Sequence, residues 1–130
     1  MSKIISFAWT TPALLADRKH ATRRNWQYEY AVRFKINEVC QAWDRLPRTG
    51  KGKKVADIRL TDYPRYQMLA DMPDSDYEEE GFAFFEEHPD LLPASHGPMG
   101  MSRRYFDDWK ATPGGLWVLR FQLEGVYDNG

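Results

Sequence analysis

Asp17-Arg18-Lys19-His20-Ala21-Thr22-Arg23-Arg24-Asn25-Trp26 is the stretch on which the reading of this chain turns. Four cations, a hydroxyl and an indole lie within it, directly after the apolar run Pro12-Ala13-Leu14-Leu15-Ala16. Lys19 and Thr22 lie three apart, and Arg24 follows two beyond Thr22. If Thr22 to Arg24 is extended, those two side chains share a face, because strand side chains alternate. A hydroxyl beside a guanidinium on one face suits a phosphate, a carboxylate or the polar edge of a base. The stretch therefore predicts a strand and a site together.

Working outward, Ile4 to Ala8 predicts a short first strand. Thr10 or Thr11 is placed to cap a brief helix whose first position is Pro12. Beyond the basic stretch, Gln27 to Lys35 predicts a second helix, and Ile36-Asn37 a turn, Asn tolerating the left-handed region. Glu38 to Asp44 and Val55 to Leu60 read as paired strands joined by a glycine-bearing cationic loop, Arg45 to Lys54. Ser75 and Glu78 have the spacing of a capping box, opening a helix that runs on through about Phe82 to Glu87. Pro89 to Met101, with three prolines and two glycines, is expected to be loop. Ser102 would cap a helix carrying Tyr105, Phe106 and Trp109 that closes one mouth of the fold; Pro113-Gly114-Gly115 stops it, and Leu116 to Leu123 is the last strand. Short strands interleaved with short helices predict an α+β domain, a small curled sheet or barrel decorated by helices.

Composition bounds the function. At 130 residues, 42% apolar and 15% aromatic, the chain reads as one globular domain spanning 1–130. No apolar run approaches the roughly 18 residues of a membrane helix, and Met1 to Phe7 has no signal-peptide pattern. Cys40 is the single cysteine, which excludes an intrachain disulfide and fits a reducing cytoplasm; between Val39 and Ala42 it reads as a small buried residue. The net charge of −1 conceals a polarity. Residues 1–54 carry twelve Lys/Arg against four Asp/Glu, and residues 55–130 carry six against fifteen. The basic half suits a polyanion, unless the two halves neutralise each other across the fold.

Phe7-Ala8-Trp9-Thr10-Thr11-Pro12-Ala13-Leu14-Leu15-Ala16, followed by Arg18-Lys19-x-x-Thr22-x-Arg24, resembles the opening of ASCH-domain proteins of the PUA-like superfamily. Glu80-Gly81-Phe82 and the closing Trp117-Val118-Leu119-Arg120-Phe121 match in the same order, and Asp44-Arg45-x-Pro47-Arg48 adds to a likeness with the small stand-alone bacterial and phage type. The resemblance implies a small mixed β-barrel with flanking short helices over a cleft that takes RNA or nucleotides. In the family's acetylcytidine amidohydrolase branch a Lys, a Thr and a Glu do the chemistry, which by motif position implies Lys19, Thr22 and Glu80, with Arg24 in the same pocket. Two positions depart from the family pattern with Asp17 and Asn37 in place of glycine, and a third has His20 in place of a small hydroxyl.

Two functions follow as expectations. The first is RNA or nucleotide binding, with Lys19, Arg23, Arg24, Arg45, Arg48, Lys51, Lys53 and Lys54 on phosphates and Trp9, Trp26 or Trp43 as a stacking plate. Trp26 is the better exposed candidate and Trp43 the better core candidate, while the basic loop reads equally well as a solvated surface. The second is a metal-independent amidohydrolase acting on an N-acylated cytidine, in which Lys19 deprotonates Thr22, Glu80 relays protons and Arg24 holds the oxyanion. Against it stands a simpler arrangement, Thr22 hydrogen-bonding within a strand while Lys19 and Glu80 form an ion pair. His20 would either bond a ligand at the pocket edge or be an ordinary surface histidine. No metal or other cofactor is called for: the histidines have no ligand spacing, and the acidic run Asp74 to Glu80 lacks the glycine of a calcium loop. A nuclease ranks below both readings, and a protein-interaction face over residues 71–90 is a third class. The spacing is silent on oligomeric state.

Overall fold

The computed structural model describes residues 2–93 and 103–127. Six strands form one mixed sheet among these residues: β1 (Ile4–Ser6), β2 (Ala21–Arg24), β3 (Val39–Trp43), β4 (Lys54–Leu60), β5 (Arg65–Met68) and β6 (Gly115–Val126). Their order is β1-β3-β4-β6-β2, with β5 also paired to β6. β1 and β3 run parallel, and every other pair is antiparallel. The long β6 pairs with three strands along its length. Its first half lies between β2 and β5, and its second half pairs with β4. Register shifts at Ala42/Trp43 and Asp57/Ile58 add local bend and twist. The sheet curls into a half-barrel whose two edge strands meet at a seam, where Arg24 Nη2 donates to Ser6 O at 2.6 Å.

Alternation explains what the curl encloses. Along β4, Val55, Ala56, Ile58 and Leu60 are buried, and they join Ile5, Phe7, Phe34, Cys40, Leu119 and Phe121 in a core inside the half-barrel. A second apolar cluster (Ala13, Met72, Phe82, Phe84, Phe85, Phe106) lies among the short helices α1 (Thr11–Leu15), α3 (Asp76–Glu79), α4 (Phe82–Glu87) and α5 (Arg103–Lys110). The expected α+β half-barrel with short helices is therefore what the chain adopts.

Several local expectations are corrected. Thr10 and Thr11 hydroxyls donate back to the carbonyls of Phe7 and Ala8 and cap nothing, because a 3-10 turn at Ala8–Thr10 precedes α1. The second helix shrinks to one turn, α2 (Tyr28–Ala31), whose aromatic side chains diverge instead of following a helical stripe: Tyr30 packs edge-on to Phe34 and Tyr28 against Trp117. Ser75 makes no side-chain cap either: Asp76 and Tyr77 N–H groups are taken by Pro73 and Asp74 carbonyls of the preceding turn. The single helix expected beyond it breaks in two at Gly81, whose φ of +99° suits glycine and whose missing Cβ would otherwise sit 3.1 Å from Ala13 Cβ. β5 was not anticipated, since Arg65-Tyr66-Gln67-Met68 is a short, mostly exposed strand with no apolar run. Ser102 and most of the Pro89 to Met101 segment lie outside the described residues. Asn37 turns the chain in the left-handed region as expected, with φ +71°, and Asp17 does the same at φ +59°.

Candidate functional site

A cavity of about 300 Å³ opens at the seam, between the two apolar clusters. Phe7, Trp9, Phe82, Tyr105 and Trp109 provide aromatic walls, and Lys19, Thr22, Arg23, Arg24 and Glu80 the polar lining. The segment after α1 brings Lys19 here because Lys19 N–H bonds Ala13 O and His20 N–H bonds Glu79 O, tying the turn to the end of α3. β2 then delivers Thr22 and Arg24 on its inner face and Arg23 on the other. All three reach the cavity because β2 is an edge strand, so side chains from both faces can flank it.

The polar groups form a chain of alternating charge. Lys19, 3% exposed, donates from Nζ to the Glu80 carbonyl at 2.8 Å and to Glu80 Oε1 at 3.0 Å. Glu80 Oε2 accepts from Arg23 Nη1 at 2.7 Å. Arg23 Nη2 reaches Asp76 Oδ2 at 2.7 Å and Gln67 Oε1 at 2.5 Å, and Arg120 closes the series on Asp76 at 2.7 and 3.0 Å. Arg23 Nε is buried without a hydrogen-bond partner among the described residues. Arg24 stands apart from this chain. Its Nε donates to Thr22 Oγ1 at 3.1 Å, Nη2 holds Ser6 O, and the guanidinium lies 5.4 Å from the Phe7 ring centroid.

Burial sets the electrostatics. Desolvation pulls the Lys19 pKa below its ordinary value, against the attraction of Glu80, with Arg24 and Arg23 pulling the same way. Arg24 is lowered by burial as well. For Asp76, burial pushes upward, but hydrogen bonds from Arg120 and Arg23 outweigh it and hold the carboxyl below the ordinary carboxylate value. The lining thus presents three cations against one carboxylate, an excess positive charge in a partly desolvated, aromatic-walled space. Such a place favours an anion or a polarised carbonyl on a planar ring.

Among the residues singled out from sequence, Lys19, Thr22, Arg23, Arg24, Glu80 and Trp9 line this cavity. Others do not. His20 bridges Asp17 Oδ1 at 2.8 Å and Glu79 Oε2 at 3.2 Å on the surface. Trp26 is stacked on Phe34, centroids 4.7 Å apart, and packs against the core instead of offering an exposed plate. Trp43 is half-buried in β3 with its indole N–H on Gln41. Arg45, Arg48, Lys51, Lys53 and Lys54 lie outside the cavity lining. Their loop nevertheless leaves β3 beside the cavity wall, since Phe7 N–H bonds Trp43 O. Lys54 is engaged by Asp57 and Tyr127. Cys40 is buried, its thiol pushed up to about 12 by desolvation. Sequence reasoning missed Asp76, Gln67 and Phe7 as parts of the site. Only Asp76 carried a signal, as an acid four residues before the turn at Glu80-Gly81, and the acidic run around it masked that signal.

Among the described residues, no group of three or more His, Cys, Asp and Glu is arranged to hold a metal ion, and no helix is long and apolar enough to cross a membrane. No protein-family model matches the chain, and neither does any curated protein. Among solved structures, protein EF3133 from Enterococcus faecalis V583, of family DUF984, is similar over 100% of this chain and 84% of its own, with a TM-score of 0.60 and 17% identity. At that identity the likeness establishes a shared fold.

Proposed function

We propose that this cavity binds a nucleotide, or one unpaired base of an RNA strand, and that the chain is an ASCH-type, PUA-like domain. The observation carrying this reading is the surplus of Lys19, Arg23 and Arg24 over Glu80 inside an aromatic-walled cavity. Its volume is at the lower end of small-molecule sites, roughly 300–1,000 Å³, which suits one nucleoside-sized group. Trp9, Tyr105 and Trp109 supply faces for a base, and Arg24 supplies a donor for its carbonyl or phosphate. The left-handed backbone at Asp17 and Asn37, where the resembling family carries glycine, supports the assignment to that fold group.

Isothermal titration with cytidine, cytidine monophosphate and a short single-stranded RNA tests the reading. Wild type binds the monophosphate, and Arg24→Gln weakens it about tenfold or more by removing a charge-assisted contact. Absence of nucleotide binding at millimolar concentration overturns the proposal.

A second reading, hydrolysis of an N4-acylated cytidine, is favoured by one observation: Lys19 has a lowered pKa and sits 3.0 Å from the Glu80 carboxylate. A proton could move between these groups as an amide breaks. It ranks second because Lys19 Nζ, the expected base, donates to the Glu80 carbonyl and carboxylate and makes no hydrogen bond to the Thr22 hydroxyl among the described residues. Turnover of acetylcytidine that vanishes in Thr22→Ala, with nucleotide affinity retained, would put it first.

A further inference from the structure

We propose a second subsite, a stacking platform of Tyr28, Tyr66 and Trp117, that takes the nucleotide flanking the one in the cavity, so that the ligand is a single-stranded oligonucleotide. The inference rests on the cavity binding a base. Cross-strand register places Tyr66, Trp117 and Arg24 side by side over β5, β6 and β2, and paired residues share a face. That is the inner face of the half-barrel, where Leu119 and Phe121 fill the core two and four residues further along β6. Towards the start of β6 the core runs out and the same face opens to solvent. Tyr66 is 57% and Tyr28 65% exposed, and both rings pack on the half-buried Trp117 at 5.6 and 6.1 Å between centroids.

The platform is preorganised. A Cβ at Gly115 would lie 2.8 Å from Tyr66 Cε2, so the absent side chain is what gives the Tyr66 ring its place over β6. Exposed aromatics held in one geometry suit stacking, which is tolerant of base identity. Charge complementarity fixes the occupant. The row ends at Arg24, whose Nε and Nη2 are used on Thr22 and Ser6 while Nη1 makes no hydrogen bond among the described residues. A phosphodiester joining a base in the cavity to a base on the platform would meet that Nη1.

Fluorescence anisotropy with a cytidine mononucleotide and with a trinucleotide, in ribo and deoxyribo forms, tests the proposal. In wild type the trinucleotide binds about tenfold tighter or more. The double variant Tyr28→Ala/Tyr66→Ala loses that gain while its mononucleotide affinity stays unchanged, and Tyr28→Phe/Tyr66→Phe keeps the gain because stacking needs the ring alone. Dependence on the two rings in either sugar form supports the platform and identifies which strand it takes. A trinucleotide that binds no tighter than the mononucleotide, or a gain that survives the double alanine variant, overturns it. So does sedimentation showing that the two tyrosines hold a dimer together. Mononucleotide that fails to bind sinks the cavity reading alone if the trinucleotide still binds through the tyrosines; no binding of either sinks both.

Discussion

Two sets of cations in the basic half of the chain have opposite fates. Lys19, Arg23 and Arg24 are withdrawn from water beside Glu80, whereas Arg45, Arg48, Lys51 and Lys53 stand in solvent on the loop after β3. In sequence the two stretches are comparably rich in charge, with Arg18, Lys19, Arg23 and Arg24 in one and Arg45, Arg48, Lys51, Lys53 and Lys54 in the other. In space the inner set carries the chemistry. A solvated charge keeps its ordinary behaviour and is screened within about 10 Å at 0.1 M salt. A buried charge must be matched by a partner and keeps its field. Density of charge marks both stretches and so does not separate a site from a solvated loop; burial with compensation does.

The sharpest way to break this contrast is to remove the compensating carboxylate. Glu80→Ala leaves Lys19 and Arg23 facing each other without it, and unfolding free energy falls by about 3–5 kcal/mol in urea titration. Glu80→Gln retains the side-chain shape and costs less, while pushing Lys19 further towards its neutral form. If both variants unfold like wild type, the buried chain of charge is not what holds β2 against α3.

Acid offers a second, somewhat smaller test. The Asp76 carboxyl titrates below its ordinary 3.8 in the folded protein, so on acidification the unfolded chain takes up this proton first. The stability from the Arg23 and Arg120 contacts is therefore complete above about pH 5 and is lost as pH falls through the folded value. Asp76→Asn should destabilise the protein at neutral pH and flatten the acid limb of a Tm-versus-pH curve. An unchanged acid limb would place the acid-sensitive group elsewhere.

The smallest effect is expected on the loop. Arg48→Ala, Lys51→Ala and Lys53→Ala combined should change stability by less than about 0.5 kcal/mol and leave mononucleotide affinity untouched. With an oligonucleotide the same variant should flatten the salt dependence, since each phosphate contact contributes to that slope. A lost mononucleotide affinity would erase the distinction between the two sets.

Much of the site was legible because it is local. Lys19, Thr22 and Arg24 belong to one short segment, and the period of two along a strand puts Thr22 and Arg24 together whatever the rest of the fold does. Glu80 was reached only through resemblance, since no local periodicity connects residues 61 apart in sequence. Trp26 shows the limit of reading exposure from polar neighbours. Asn25 and Gln27 flank it, yet the ring is drawn onto Phe34 by a turn whose packing those neighbours do not encode. The capping box at Ser75 failed for a related reason: Ser75 has helical dihedrals, so its own carbonyl takes the Glu78 N–H that the hydroxyl would have held.

By itself, then, the order of residues determined most of the succession of short strands and helices, though not β5 or the break at Gly81, together with the left-handed turn at Asn37 and a hydroxyl and a guanidinium on one strand face. These are properties of neighbouring dihedrals and side-chain alternation. Only the tertiary structure decided that β2 is an edge strand at a seam, that Arg23 on its other face joins Glu80 and Asp76, and that the cationic loop stays outside the cavity. Those outcomes depend on which distant apolar faces pack together, because that packing determines which charges leave water and must find a partner.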